Sequence, residues 1–455
     1  MVLHTDHAVV LGASLGGLMA ARILSDTYAQ VTLIERDVLD PSPEPRKGVP
    51  QGRHAHMLLA RGREAMEELF AGLTDELVAL GVPKVDVQSQ IRWISDGRTL
   101  AHRPSGLVAL GSSRPLLESR IRARVLAIPN LKVLDGCEVS GLLGSIRDDS
   151  VIGVRLLRNG EQGPGEKLYA DLVLDATGRA ARGVSWMQAL GFPVPETETV
   201  EVGLVYGTRL YRRDPSMMTT NTVMSPAFPR VGAMLAQEGD RWIVTLGGVN
   251  GDAAPLDHEG YTAYAATLSA PIVYDVIRDA EPLSDPVRMR YPACARRRYE
   301  RLPHVPEGYL AYGDAITSFS PTYGQGMTSS ACQALALRDC LQEGLDALPR
   351  RFYKAAADII DIPWSIAANG DGRLPGVPGK QSPQVRLMNT YLDQVWKAGS
   401  RDPDVSAAFL RVVNLMEPPQ SLLRPSTALR VLRGSLLASH RGASSRNPLI
   451  RPRIQ

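Results

Sequence analysis

Ala8-Val9-Val10-Leu11-Gly12-Ala13-Ser14-Leu15-Gly16-Gly17, running on into Leu18-Met19-Ala20-Ala21-Arg22-Ile23-Leu24, is the stretch on which the fold turns. A short apolar run breaks into a glycine-rich turn and passes directly into a helical pattern. A second apolar run, Gln30–Ile34, then ends on Glu35-Arg36. Strand, glycine-rich turn, helix, strand and acid, in that order, predict a Rossmann-like dinucleotide site. Gly12 makes the tight turn, and Gly17 lets helix and strand pack closely. The helix N-terminus offers free N–H groups to a pyrophosphate, and Glu35 accepts hydrogen bonds from a ribose. Ser14 stands where the pattern usually has its second glycine. It is small enough for close backbone approach, and its hydroxyl can donate to phosphate. Alone, this half says only dinucleotide.

A second segment narrows the ligand. Gly308-Tyr-Leu-Ala-Tyr312 reads as a buried strand and leads into Gly313-Asp314-Ala315. Ser320-Pro321-Thr-Tyr-Gly324-Gln-Gly326-Met327 follows, then a helical pattern from Thr328 to about Glu343. A nicotinamide enzyme has no need of such a segment, whereas FAD does. Asp314 can accept from ribityl hydroxyls. Gly324 and Gly326 let backbone amides approach the ring, and the positive end of the following helix stabilises a reduced, anionic flavin by about 1 kcal/mol.

With both halves in place the sequence resembles the single-component FAD-dependent monooxygenases, the group that includes para-hydroxybenzoate hydroxylase and squalene epoxidase. The resemblance spans nearly the whole chain. It takes in Asp175-Ala-Thr-Gly178-Arg179, and Arg114 at the start of a helix in Ser113-Arg114-Pro-Leu-Leu117. It implies a discontinuous FAD-binding domain over residues 1–184 and 287–345, with an inserted β-sheet substrate domain over 185–286. A C-terminal helical extension would cover 346–455. It also implies that Arg114 serves the FAD phosphates or adenine side, and that Asp175–Arg179 lies near the flavin and nicotinamide pyrophosphates. In that group NAD(P)H reduces the flavin, O2 adds at C4a, and the resulting hydroperoxide delivers one oxygen atom. No second Rossmann unit is found, as suits a nicotinamide that visits only briefly.

Arg46-Lys-Gly-Val-Pro-Gln-Gly-Arg-His-Ala-His56-Met-Leu-Leu is similar to a signature of actinobacterial FAD-dependent epoxidases that oxidise polyenes in polyether antibiotic pathways of the lasalocid and monensin type. Gly203–Arg209 and Asp240–Thr245 are similar to theirs as well. A basic pair such as Arg46-Lys47, after Pro41, Pro43 and Pro45, is ordinarily a solvated turn. The resemblance implies instead that Arg46 reaches toward the flavin. The expected cofactor residues are therefore Gly12, Ser14, Gly17, Glu35, Arg36, Arg46, Arg114, Asp314, Pro321, Gly324, Gly326 and Met327.

Composition bounds the rest. The 455 residues suffice for two domains and an extension, and 44% apolar with 22% charged residues is ordinary for a globular chain. A net charge of +3 and sparse aromatics argue against a nucleic-acid partner. Cys137, Cys294, Cys332 and Cys340 form no C-x-x-C pair, so neither a disulfide framework nor a metal site is expected. The chain starts straight into its first strand without a signal peptide, and a cytoplasmic location is expected.

Between Ser185 and Pro286, alternation in Val202–Leu210 and Arg241–Gly247 predicts strands flooring the flavin. Met217, Met218, Met224 and Met234 either line an adaptable apolar pocket or pack the core. His54 and His56 are the candidate bases, with a structural role as the alternative. Hydroxylating a phenol profits from a base, whereas an olefin needs only oriented oxygen. The expected reaction is thus epoxidation of an olefin in a large apolar, polyene- or terpenoid-like molecule, with no side chain assigned as catalytic base. Aromatic hydroxylation is the nearest alternative, followed by isoprenoid reduction and a non-enzymatic lipid-binding escort. A flavin halogenase is not expected, because its W-x-W-x-I-P stretch is absent.

In the extension, Ser382-Pro383 and Asp402-Pro403 each read as a helix start, and Pro363-Trp364 is expected to reach toward the pocket. Ser421–Gln455 holds seven arginines and no acid, with Leu429, Leu432 and Leu436 on one face. A helix packed on the body, or docking to an anionic membrane or carrier protein, follows from that pattern.

Overall fold

The computed structural model describes residues 6–371, except 148, 162, 164, 215, 217–221 and 227, and residues 382–442. Its centre is a five-stranded parallel sheet in the order Tyr309–Ala311, Leu172–Asp175, His7–Leu11, Gln30–Ile34, Leu131–Leu134. Both faces of this sheet are covered, so Ala8, Val9, Val10, Val31 and Leu33 are all buried, as the unbroken apolar runs require. Helix Leu15–Leu24 connects the first two strands and packs against helices Arg114–Leu126 and Gly326–Gln342. The two glycine-rich segments, some 300 residues apart in the chain, thereby meet at the carboxyl ends of the parallel strands.

An eight-stranded sheet stands beside this domain, in the order Thr317–Ser318, Val287–Arg297, Thr197–Arg212, Arg241–Gly248, Arg230–Gln237, Thr222–Ser225, Ile91–Ser95, Arg98–Thr99. It is wider than residues 185–286 alone, because the hairpin Ile91–Thr99 and the long strand Val287–Arg297 close its flanks. Helices His258–Ala265 and Pro271–Ile277 cover one face around Trp242, Tyr211 and Tyr261. Strand alternation decides which methionine meets the cavity. Met234 is buried among those helices, while Ala233 and Leu235 on either side of it face the opposite way and line the cavity with Met224. Met217 and Met218 lie outside the described residues.

The C-terminal residues form helices Leu348–Asp371, Pro383–Gly399, Pro403–Val413 and Pro425–Gly442. Ser382 Oγ accepts from the Val385 N–H, and the Asp402 carboxylate accepts from the Asp404 N–H, so both anticipated caps form. The last helix rests on Pro383–Gly399. Its Arg430 pairs with Asp402 and Asp404, and Arg424 pairs with Glu417, while Leu429 and Leu432 are exposed. Residues 443–455 lie outside the described residues, as does the side chain of Leu436. No helix among the described residues is long and apolar enough to cross a membrane.

Candidate functional site

A cavity of about 1020 Å³ runs from the glycine-rich turn, past the start of helix Gly326–Gln342, to the face of the large sheet. At its first end the turn is held by steric necessity. Gly12 has φ +95°, and a Cβ there would meet Ala176 O at 2.8 Å. A Cβ on Gly17 would fall 1.7 Å from Gly12 O, so strand and helix can approach as they do only through glycine. Gly12 and Ser14 line the cavity, and Gly17 lies behind them as packing. Glu35 and Arg36, from the end of the second strand, reach the same wall. Glu35 is buried and accepts from the Ala13 N–H at 2.7 Å and the Asp37 N–H at 3.1 Å, which fixes its carboxylate under the turn.

Arg114 also lines the cavity. Ser113 caps its helix, and the guanidinium donates to Ser14 Oγ at 3.1 Å and Glu118 Oε2 at 3.4 Å. The serine that replaces the usual glycine is thus an acceptor for Arg114, and together they present hydroxyl and cation where a pyrophosphate is expected. Arg46 has a different position. Its guanidinium donates to Glu118 Oε1 at 2.7 and 3.0 Å, to Ala13 O at 3.0 Å and to Asp37 Oδ2 at 3.3 Å, and it lies 3.4 Å from Glu35. These partners hold it beneath the site, and it is not among the residues lining the cavity. Desolvation is more than offset by Glu118, Glu35 and Asp37, so its pKa is raised. Arg46→Ala strands three carboxylates in a mostly buried cluster. It is expected to lose about 3–5 kcal/mol of stability, read as a lowered midpoint in denaturant unfolding, with Arg46→Lys intermediate because the lysine lacks the fork.

On the opposite side, Asp314, Pro321, Gly324, Gly326 and Met327 all face the cavity. Gly313, at φ +61°, turns the chain out of the strand, and its N–H donates to Gln333 Oε1 at 3.1 Å. Burial raises the pKa of Asp314, while Arg114, Arg179 and Arg297 oppose the shift. No group among the described residues donates a hydrogen bond to its carboxylate. Gly324 sits at φ +64°, whereas Gly326 needs no special φ, and a Cβ on either would meet nothing within 4 Å. The protein therefore leaves clear space before the N-terminus of a 17-residue helix, beside a carboxylate that accepts from no described donor. Ser330 Oγ, also on the wall, is buried without a partner among the described residues. An open cradle, amide donors, a free acceptor and an unmet hydroxyl fit the ribityl chain and ring of FAD.

The far wall is where sequence reading missed most. Besides Leu204, Met224 and Leu235 of the sheet, it contains Trp396 and Leu392 of helix Pro383–Gly399 and Phe409 of helix Pro403–Val413. Trp396 and Phe409 stack edge-to-face with centroids 5.2 Å apart. Trp364 does not join them. Ser365, Ile366 and Gly370 of its helix face this cavity, while Trp364, about 100° round from Ser365, lines a second cavity of about 320 Å³ with Arg296 and Arg298. His54 and His56 both line the main cavity. His56 Nδ1 lies 2.9 Å from His54 O, which can only accept, so Nδ1 carries the proton and Nε2 the lone pair. Burial, then Arg114, brings the His56 pKa down to about 4, and burial, then Arg53, does the same for His54.

No protein-family model matches the chain. Protein Rv3254 of Mycobacterium tuberculosis is 34% identical over 430 residues, which is 90% of each protein. The chain belongs to the family of Protein Rv3254. Among solved structures, the flavin-dependent brominase Bmp2 is 14% identical with a TM-score of 0.67, over 96% of this chain and 100% of that one. The 2-methyl-3-hydroxypyridine-5-carboxylic acid oxygenase is 17% identical with a TM-score of 0.59, over 81% and 92%. The fold is accordingly that of the FAD-dependent monooxygenases, a Rossmann-like domain with a large sheet and C-terminal helices, and halogenases share it.

Proposed function

We propose that the protein is an FAD-dependent monooxygenase that uses NAD(P)H and O2 to oxygenate a large apolar small molecule, and that the reaction is epoxidation of an olefin. The observation that carries this reading is the continuous cavity that joins both glycine-rich segments to an apolar far wall. Bound FAD supplies electron transfer from the nicotinamide and activation of O2 for transfer of one oxygen atom. The chain supplies position and dryness. Gly12, Ser14, Arg114 and Glu35 would hold the ADP end, and Asp314 would accept from the ribityl chain. Gly324–Met327 leave the helix N-terminus facing the ring. Trp396, Phe409 and the sheet floor exclude water from the reacting face.

Two imidazoles on the wall speak for the second reading, aromatic hydroxylation, because a phenol profits from a base. Magnitude favours the olefin reading. An imidazole whose conjugate acid has a pKa of about 4 lies roughly six pH units below an ordinary phenol near 10. Removing that proton is uphill by roughly 8 kcal/mol. Such a ring accepts or donates hydrogen bonds but is a poor base for a phenol. The resemblance of Arg46–His56 to polyene epoxidases of antibiotic pathways supports the olefin reading.

The test is turnover of the FAD-loaded protein with NADPH or NADH under 18O2, against panels of polyene or terpenoid olefins and of phenols. One 18O atom in an olefin product is expected. Oxygenated phenols, with olefins yielding only peroxide, would establish the hydroxylase instead, and turnover without oxygen would establish a reductase.

A further inference from the structure

On the side of the cavity away from the cofactor cradle, the sheet floor holds one buried polar group of side chains around His54. His54 is only 4% exposed. Its Nδ1 lies 2.8 Å from Thr208 Oγ1, which lies 2.7 Å from Thr245 Oγ1. The Ala55 N–H donates to Thr245 Oγ1 at 3.3 Å. The imidazole also stands edge-on to Tyr206, with centroids 4.8 Å apart and planes at 79°. One strand of the sheet floor, Thr197–Arg212, therefore fixes the ring through Thr208 and Tyr206, and its neighbour Arg241–Gly248 braces Thr208 through Thr245. His54, Tyr206 and Thr245 all line the cavity. Nδ1 is the ring nitrogen taken by the protein, and Nε2 has no partner among the described residues.

The charged or titratable groups set about this ring are Arg53 beside it, His56 two residues on, and Tyr206 with Arg179 behind it. None of these is a carboxylate, and the ring is uncharged. A neutral imidazole tied to a hydroxyl pair can run its hydrogen bonds in either sense. If Nδ1–H donates to Thr208, Nε2 offers a lone pair. If Thr245 donates to Thr208 and Thr208 to Nδ1, Nε2–H becomes a donor. A buried group of this kind is best met by a ligand group of matching polarity, since an unmet buried polar atom weakens binding.

We propose that His54 Nε2 is a specificity-determining contact that binds a neutral oxygen, a hydroxyl or a carbonyl, carried by an otherwise apolar substrate. The inference rests on the reading of this cavity as the substrate chamber of an FAD monooxygenase, and it names the substrate class. The substrate is an apolar olefin with an oxygen function at a fixed distance from the reacting bond. A site built to satisfy a polar group rejects the analogue that lacks it far more strongly than an apolar pocket rejects an extra methylene.

The experiment titrates the holoenzyme with farnesol and with the triene hydrocarbon in which hydrogen replaces its O–H, a probe that can neither donate to nor accept from Nε2. Binding is followed by the flavin absorbance change and by quenching of tryptophan fluorescence from Trp93 and Trp396, both on the cavity wall. Farnesol is expected to bind at least about tenfold more tightly than the hydrocarbon. His54→Ala is expected to bring farnesol to the level of the hydrocarbon and to leave the hydrocarbon within about twofold. His54→Gln, which returns an amide, should restore part of the preference. Equal affinity of the two probes for the wild type, absence of saturable farnesol binding, or a preference undiminished in His54→Ala overturns the proposal. The tryptophan signal does not need the flavin, so a protein without a flavin spectrum that still prefers farnesol defeats the monooxygenase reading and keeps this one.

Discussion

Gly17→Ala is expected to leave little soluble protein and at least a roughly tenfold lower FAD-to-protein ratio in what remains. The added methyl would sit 1.7 Å from Gly12 O and 2.9 Å from Gly12 C. Both are backbone atoms, and the turn they belong to is part of the cavity wall, so no flexible side chain can give way. Relief requires helix Leu15–Leu24 to lift from the sheet, where it is buried along nearly its whole length. Overpacking of ordinary side chains costs about 1–3 kcal/mol, and a backbone overlap of this depth exceeds that range. Against a total stability of roughly 5–15 kcal/mol, the loss is enough to depopulate the fold. Absorbance at the flavin band relative to protein, with a thermal melt, reads the result. A normally loaded and normally melting Gly17→Ala protein would refute the packing described for the turn.

Asp314→Ala should have the opposite division of effects. No described protein group donates to its carboxylate, so the apoprotein loses no internal hydrogen bond, and its melting midpoint is expected to move by no more than about 2 °C. The FAD dissociation constant is expected to rise by about 10- to 100-fold, the equivalent of a hydrogen bond to a charged group. Asp314→Asn, which keeps an acceptor without the charge, should fall between. Isothermal titration of apoprotein with FAD measures it. Unchanged FAD affinity in Asp314→Ala would remove the residue from the cofactor site.

What could be read from the sequence follows from what is local. The strand–turn–helix around Gly12–Gly17 depends on neighbours within a few residues, and so do the strand Gln30–Ile34 and the caps at Ser382 and Asp402. All appear where expected. The glycine-rich bend before helix Gly326–Gln342 was legible too, and the structure sets Asp314 and Gly324–Met327 on the cavity wall. Other positions depend on tertiary phase, which no local pattern carries. Arg46 is drawn beneath the site because Glu35, Asp37 and Glu118 converge there from separate parts of the chain. Trp364 misses the main cavity by one step of the helix, and Met234 by one step of the strand. Trp396 and Phe409 were hidden for the same reason. Their helices were legible, but the face each turns to the cavity is set by packing against parts of the chain remote in sequence. The histidines show a further kind of gap. Both were legible as candidate bases, yet their uncharged state follows from burial and nearby arginines, and that state makes them hydrogen-bonding groups.

Whether both glycine-rich segments serve one flavin is decided most directly by an FAD titration of the purified protein, followed by its visible spectrum and the flavin-to-protein ratio at saturation. One FAD per chain, with the ratio falling in Asp314→Ala, is the predicted result. A colourless protein that takes up no FAD, or one whose FAD binding ignores Asp314, would contradict it.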